Sequence, residues 1–357
     1  MKKKFLSLET YRAFAALMIA AIHFDVNSPL VNHSLANGYF VHFFFCLSGF
    51  VIYFNYKDKI KNFENIKFFI KKRFLRLYPL HLFFLVLFLF IEVAKYILLN
   101  EYNFSTNTEP FTKNNLQSFF ANIFLFQTFL YDYTFNTPSW SISAEFYTYI
   151  IFAILIIFRF NMAINLFIIL LISLFRLNDQ LSYGASHSGY RSLLDCVYSF
   201  YWGMLFCHLY IICNKKKLYN ALKNIISFFL LIVTYFAITK LRNNNLLALP
   251  IIFCLLIFFS CDLNQKSYLG KILCNRFCVY LGNISYSIYM SHLFVFWSVN
   301  NILRFFFKID TYIDSDNIVK LEFNLIEANI MVISCYLITI IVSAMLYKHI
   351  EKRFYNS

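Results

Sequence analysis

The chain has 357 residues, 60% hydrophobic and only 14% charged, with 47 Phe, 26 Tyr and a formal net charge of +14. Soluble domains carry about 25% charged residues, and one core of this length could not enclose so much apolar surface; a soluble globular fold is excluded and lipid is the expected solvent. The basic excess falls in short stretches between apolar runs, the pattern of cytoplasmic loops rather than of a nucleic-acid-binding face, so no nucleic acid partner is expected.

A helix needs about 20 apolar residues to cross a bilayer. The sequence predicts an all-α, polytopic membrane protein of about ten such helices: Tyr11–Asn27, Tyr39–Tyr56, Leu77–Leu99, Ser139–Phe158, Met162–Leu177, Leu194–Cys213, Lys223–Lys240, Leu246–Cys261, Cys278–Val299 and Ala328–His349. The fifth and eighth are short. Leu116–Tyr131 is apolar but interrupted by Asn122 and Gln127, and is expected to be re-entrant or interfacial. Most Lys and Arg then fall on the side of both termini, which places the termini in the cytoplasm. Lys2–Lys4 before an apolar run looks like a signal peptide, but Arg12 and His23 interrupt the run, and it reads as a first membrane helix. A single membrane domain over 1–357 is expected, with no separate soluble domain. Nine scattered Cys suit small buried hydrophobes, and no metal site is expected.

Ionisable groups inside a membrane segment are costly and usually face the bundle interior or a water-filled cavity. On the first helix, Arg12 and His23 stand 11 residues apart, close to three turns, so they share a face about 16 Å apart along the axis. Alone, Arg12 fits a snorkelling interfacial cation and His23 a hydrogen-bonded core histidine; together on one face they favour function. In the second helix, Ser48-Gly49 suits close helix packing, and no base near Ser48 in sequence supports a nucleophile there. Arg73 and Arg76, just before the third span, fit plain positive-inside charge or a phosphate clamp, for which the planar guanidinium is suited. Glu145 follows Pro138, Trp140 and three Ser at the start of the fourth helix. There it would complement the helix dipole, or lie near His23 and orient its imidazole; Tyr149 is one turn deeper on the same face. His292 lies mid-span in the ninth helix, equally suited to packing and catalysis.

The stretches that hold these residues also form an ordered pattern: Leu8-Glu-Thr-Tyr-Arg-Ala-Phe-Ala-Ala16 through His23, Phe44-Phe-Cys-Leu-Ser-Gly-Phe50, Arg73-Phe-Leu-Arg76 with Tyr78-Pro79, Trp140-Ser141 with Glu145 and Tyr149, Leu281-Gly282 with Ser285-Tyr286 and His292, and Tyr347-Lys-His-Ile-Glu-Lys-Arg-Phe354. In this order they resemble the acyltransferase-3 family of polytopic membrane acyltransferases, nearly end to end. His42 stands where Asp or Pro is common, and Thr10 where Gly is common; neither is a candidate catalytic group.

The resemblance implies an O-acyltransferase in the cytoplasmic (inner) membrane of a bacterium, with acetyl, the family's frequent cargo, as the expected acyl group. A cytoplasmic acyl-CoA is the expected co-substrate, with no bound cofactor. A hydroxyl of a surface glycan or glycolipid is the expected acceptor. His23, Glu145 and Arg12 are the expected catalytic residues. Arg73 and Arg76 are expected to hold the donor's phosphates, with Ser48, Trp140, Tyr149 and His292 in support. A transporter or flippase of lipid-linked sugars would also bury polar residues among many helices, although the chain shows no inverted repeat.

Overall fold

Helices form in this chain because lipid leaves each backbone polar group to be satisfied within its own segment. A computed structural model describes residues 4–24, 26, 28–31, 38–102, 108–130, 134–158, 161–183, 189–213, 220–240, 247–263, 265–313 and 319–355. The expected inside charges at Arg159 and Lys215–Lys217 lie outside the described residues. The elements in order are α1 (Leu6–Ile22), α2 (Phe40–Tyr56), α3 (Phe63–Tyr102), α4 (Leu116–Ile123), α5 (Trp140–Ile157), α6 (Met162–Tyr183), α7 (Tyr190–Cys213), α8 (Asn220–Lys240), α9 (Ala248–Ser260), α10 (Tyr268–Leu273), α11 (Arg276–Asn283), α12 (Ser285–Phe305), β1 (Thr311–Ile313), β2 (Val319–Leu321), α13 (Leu325–Leu346) and α14 (Lys352–Tyr355). A π-helical turn, Tyr347–Glu351, joins the last two helices.

Among the described residues, five helical stretches are long and apolar enough to cross a membrane: Phe63–Tyr102, Thr137–Ile157, Tyr190–Cys213, Leu222–Lys240 and Leu325–Phe354. Three shorter apolar helices, Phe40–Tyr56, Met162–Asn178 and Ala248–Ser260, stand beside them. Helices α1 and α12, at the expected first and ninth spans, are in neither group. Helix α1 carries Arg12 and ends at His23, and α12 carries His292.

Two helices display an inside-out pattern. On α6, Phe167, Leu170, Leu171 and Leu174 point outward, while Asn165, Ile169, Ile172 and Arg176 are buried. On α8, Ile225, Phe228, Phe229, Ile232 and Phe236 make a similar exposed stripe. Spacings of three and four residues put each set on one helix face. Such stripes are a liability in water and match a lipid boundary. The inward Arg176 is paired with Asp195 of α7, Nε–Oδ1 2.8 Å, both side chains being almost wholly enclosed.

The centre is tightened by small residues. A methyl group added at Gly49 of α2 would overlap the Phe200 carbonyl of α7, and one at Gly203 of α7 would overlap the Cys46 carbonyl of α2. The two backbones therefore lie against each other, as small residues allow in lipid. Gly282 of α11 meets the Glu9 backbone of α1 in the same way. Hydroxyls fasten α1 elsewhere: Ser7 Oγ donates to the Ser260 carbonyl at 2.6 Å, and Thr10 Oγ1 to the Leu273 carbonyl at 2.6 Å.

Several features differ from the sequence expectation. Helix α1 begins at Leu6 and ends at Ile22, so His23 is its C-cap rather than an internal residue. Helix α3 is 40 residues long and runs through Pro79, so Arg73 and Arg76 stand on the same rod as the apolar span. The expected ninth span divides at Ile284, where Gly282 and Asn283 supply ordinary helix-ending residues. The expected outer loop before the last span contains an antiparallel hairpin that pairs Thr311 with Leu321.

Candidate functional site

A cavity of about 430 Å³ opens among α1, α2, α3, α5, α12 and the π turn. It lies at the end of the bundle that holds Lys4 and the start of α1. Three arginines reach it from two helices: Arg12 from α1, and Arg73 and Arg76 from α3. Carboxylates reach it from three places, Glu9 on α1, Glu145 on α5 and Glu351 on the π turn. Isolated charges in an apolar bundle are costly unless paired or solvated, and this cavity gathers them.

Each arginine is held differently. Arg12 Nη1 is 3.2 Å from Glu9 Oε2, one helical turn back. Arg73 is buried, with Nη2 3.4 Å from the Tyr56 hydroxyl and its guanidinium 5.5 Å from that ring's centre. Its Nε has no protein partner, leaving a buried donor available. Arg76, one turn further along α3, lies within electrostatic range of Glu351 and Tyr286. Glu351 itself accepts a hydrogen bond from Ser287 Oγ at 2.9 Å. Spacing of three along α3 places Arg73 and Arg76 on one face, toward the cavity.

Beside the arginines a short hydrogen-bond chain crosses from α2 to α5. Tyr149 donates to Glu145 Oε1 at 2.5 Å, and its oxygen is 2.8 Å from Ser48 Oγ. A phenol has one proton. With the phenol donating to Glu145, Ser48 donates to Tyr149, and the chain of donors ends on the Glu145 carboxylate. Glu145 is engaged with Tyr149 rather than with the His23 ring.

The cavity floor is Tyr289 of α12. Its hydroxyl donates to the Pro138 carbonyl at 2.8 Å and lies 2.7 Å from Ser141 Oγ. Behind this floor are two imidazoles. The His292 ring centre is 6.1 Å from that of Tyr289 and 5.1 Å from that of His23. His292 is fully buried. Its Nδ1 is 3.2 Å from the Ile288 carbonyl, which can only accept, so the proton is on Nδ1 and the lone pair on Nε2. That Nε2 has no protein partner. A buried, unpaired basic nitrogen beside a second imidazole is a candidate proton acceptor.

The nine residues singled out from sequence therefore separate into three groups. Arg12, Ser48, Arg73, Arg76, Glu145 and Tyr149 line one cavity. His23 and His292 form a pair beyond its floor. Trp140 lines neither; it begins α5 and packs edge-on against Phe45 at 6.3 Å. Sequence reasoning passed over Glu9, Glu351, Tyr286 and Tyr289. Glu9 and Glu351 sit inside or at the ends of apolar segments, and the cost of intramembrane charge was the signal available for both. The two tyrosines carry no such signal, since Tyr is common throughout this chain.

With this geometry in view, the comparison with known proteins is decisive for kinship. A model of the acyltransferase domain of the acyltransferase-3 family matches residues 5–348. The chain belongs to that family. It is also similar to acyltransferase MdmB of Streptomyces mycarofaciens, 32% identical over 161 residues, which is 41% of this chain and 38% of that relative. The alignment thus spans less than half of the relative's length. No solved structure matches the chain.

Proposed function

We propose that this family member is a membrane O-acyltransferase that moves an acyl group, acetyl by preference, from cytoplasmic acyl-CoA to a hydroxyl of a glycan on the far side of the inner membrane. In this reading the chain crosses ten times, with both termini in the cytoplasm, and the spans include α1 and α12 despite their polar residues. The observation that carries the proposal is one cavity lined by three arginines, with a histidine pair next to its lining residue Tyr289.

Acyl-CoA is a polyanion on a thin arm ending in a thioester. Arg73 and Arg76 hold its phosphates through charge-assisted hydrogen bonds, with Arg12 facing the arm. The thioester reaches the floor and passes Tyr289 toward the imidazoles. About 16 Å of helix rise separates Arg12 from His23, a span suited to an extended arm rather than to a compact ligand. His23, whose ring is partly open, takes the proton from the acceptor hydroxyl. The hydroxyl oxygen attacks the thioester carbonyl, the C–S bond breaks, and coenzyme A leaves as thiolate and takes a proton from His23. His292, with Nδ1–H fixed on Ile288, offers Nε2 to the same space and steadies the acceptor or the water beside it. Glu145 tunes the cavity through Tyr149 and Ser48.

The test is label transfer in proteoliposomes. Purified wild type and His23→Ala receive radiolabelled acetyl-CoA and a cell-envelope glycan extract, and label in glycan is followed. Transfer by wild type with loss in a folded His23→Ala is expected. A glycan that crosses the membrane without gaining label would instead identify a transporter. Transfer that survives His23→Ala would remove this mechanism.

A further inference from the structure

We propose that Tyr289 gauges the length of the acyl chain: its ring, pinned at the hydroxyl, bounds the cavity where the acyl end of the donor lies and admits only a short chain there. The inference rests on the acyl-transfer reading above and names the residue that makes the donor a short acyl-CoA.

Helix α12 sets its position. Ser285, Tyr286 and Tyr289 of that helix line the cavity, and Tyr289 is the last of them. His292 follows three residues later, a neighbour on the same helix face and about 4.5 Å further along the axis. The His292 ring centre is 6.1 Å from that of Tyr289 and 5.1 Å from that of His23. Neither imidazole is among the described residues of the lining. A donor that enters among the arginines and brings its thioester toward His23 therefore carries its acyl end alongside this ring.

The ring is fixed at both ends. Its backbone belongs to α12. Its hydroxyl has one proton and donates it to the Pro138 carbonyl at 2.8 Å, in the turn Thr137–Ser139 that precedes α5. Ser141 Oγ, 2.7 Å away on α5, supplies the phenol oxygen with a hydrogen bond in return. Phe44 of α2 packs edge-on against the same ring, with centres 6.1 Å apart. Three helices thus hold one buried side chain that still lines the cavity. The ring cannot swing aside to house more methylenes without breaking both hydrogen bonds. An apolar wall of set position discriminates between chains that differ by one methylene by about 10–200-fold. The position of this wall, beside the imidazoles, makes the acyl chain the part of the donor that it measures.

Label transfer from acetyl-, butyryl- and octanoyl-CoA to the envelope glycan extract, by the full chain in proteoliposomes, tests this. Wild type should favour acetyl over octanoyl by about 100-fold or more in kcat/KM. Tyr289→Ala should cut that ratio by about tenfold or more, with the affinity for unacylated coenzyme A unchanged. Tyr289→Phe, which keeps the ring and drops the tether, should fall between the two. A second measurement needs no variant to fold. A butyryl-CoA carrying a diazirine on its acyl chain, irradiated with wild type, should label the peptide that holds Tyr289, and excess acetyl-CoA should suppress the label. Octanoyl transfer by wild type as efficient as acetyl transfer overturns the proposal. So does a ratio unchanged in a Tyr289→Ala that still binds coenzyme A, or a photolabel that avoids Tyr289 and its neighbours. Transfer with an unchanged ratio would overturn this proposal alone; a wild type that neither binds coenzyme A nor transfers from any donor would overturn the acyl-transfer reading, and this proposal with it.

Discussion

Ser48 and Gly49 are neighbours on α2, yet they belong to opposite kinds of region. Gly49 faces α7, where backbone lies against backbone and a single added methyl has no room. Ser48 faces the cavity, where its hydroxyl joins Tyr149 and Glu145. The seam between α2 and α7 is filled. The cavity wall is charged and holds buried polar atoms, such as Arg73 Nε, without protein partners. Buried polar groups in proteins are normally satisfied, so a buried guanidinium donor beside the cavity suits a polar ligand there. The seam makes the cavity possible: it fixes α2 so that the other face can remain open.

The sharpest way to break this comparison is to fill the seam. Gly49→Val should be the most damaging single change, because its methyls meet the Phe200 carbonyl rather than a flexible side chain. Overpacking typically costs 1–3 kcal/mol and occasionally more; here backbone must move. Thermal unfolding in detergent should show a large fall in midpoint, with coenzyme A binding lost alongside. A variant of normal stability would mean the seam is not as close as described.

The remaining changes should spare stability and strike function. His23→Ala should lower transfer by about 10²–10⁴-fold, the usual contribution of a positioned base, with the unfolding midpoint and coenzyme A affinity unchanged. Arg76→Gln should raise the acyl-CoA KM at least tenfold, since a hydrogen bond to a charged group is worth about 1.5–3 kcal/mol. Arg76→Lys should recover only part of this, because an ammonium cannot make the guanidinium's forked contact. Ser48→Ala should be mildest, within about threefold of wild-type transfer, because Tyr149 keeps its bond to Glu145. A loss of transfer in Ser48→Ala as large as that in His23→Ala would contradict a supporting role for Ser48.

Much of this contrast was legible before any fold was known, and its limits are physical. The long apolar runs announced the helices, because lipid permits little else. The charges within them stood out as candidates, and Arg12, Arg73, Arg76, Glu145 and Tyr149 line one cavity. Depth along a helix was legible as well, since rise per residue is fixed. What a one-dimensional reading could not supply was rotation and neighbour. Glu145 and His23 sit on different helices, and matching depth said nothing of which side chains turn toward which. The structure puts Tyr149 against the carboxylate and His292 against the imidazole. Glu351 was equally out of reach: it stands at the end of a π-helical turn, whose register differs from the 3.6-residue repeat by which faces are counted. The hairpin after α12 was missed because its strands are three residues long, too short for an alternating pattern.

The central claim is that the arginine cavity receives the acyl-CoA donor, separately from the histidine pair that receives the proton. Calorimetric titration of coenzyme A into purified wild type, Arg76→Gln and His23→Ala tests it most directly. Saturable one-to-one binding by wild type, unchanged in His23→Ala and at least tenfold weaker in Arg76→Gln, is the predicted result. Absence of binding by folded wild type, or equal affinity in wild type and Arg76→Gln, would contradict it.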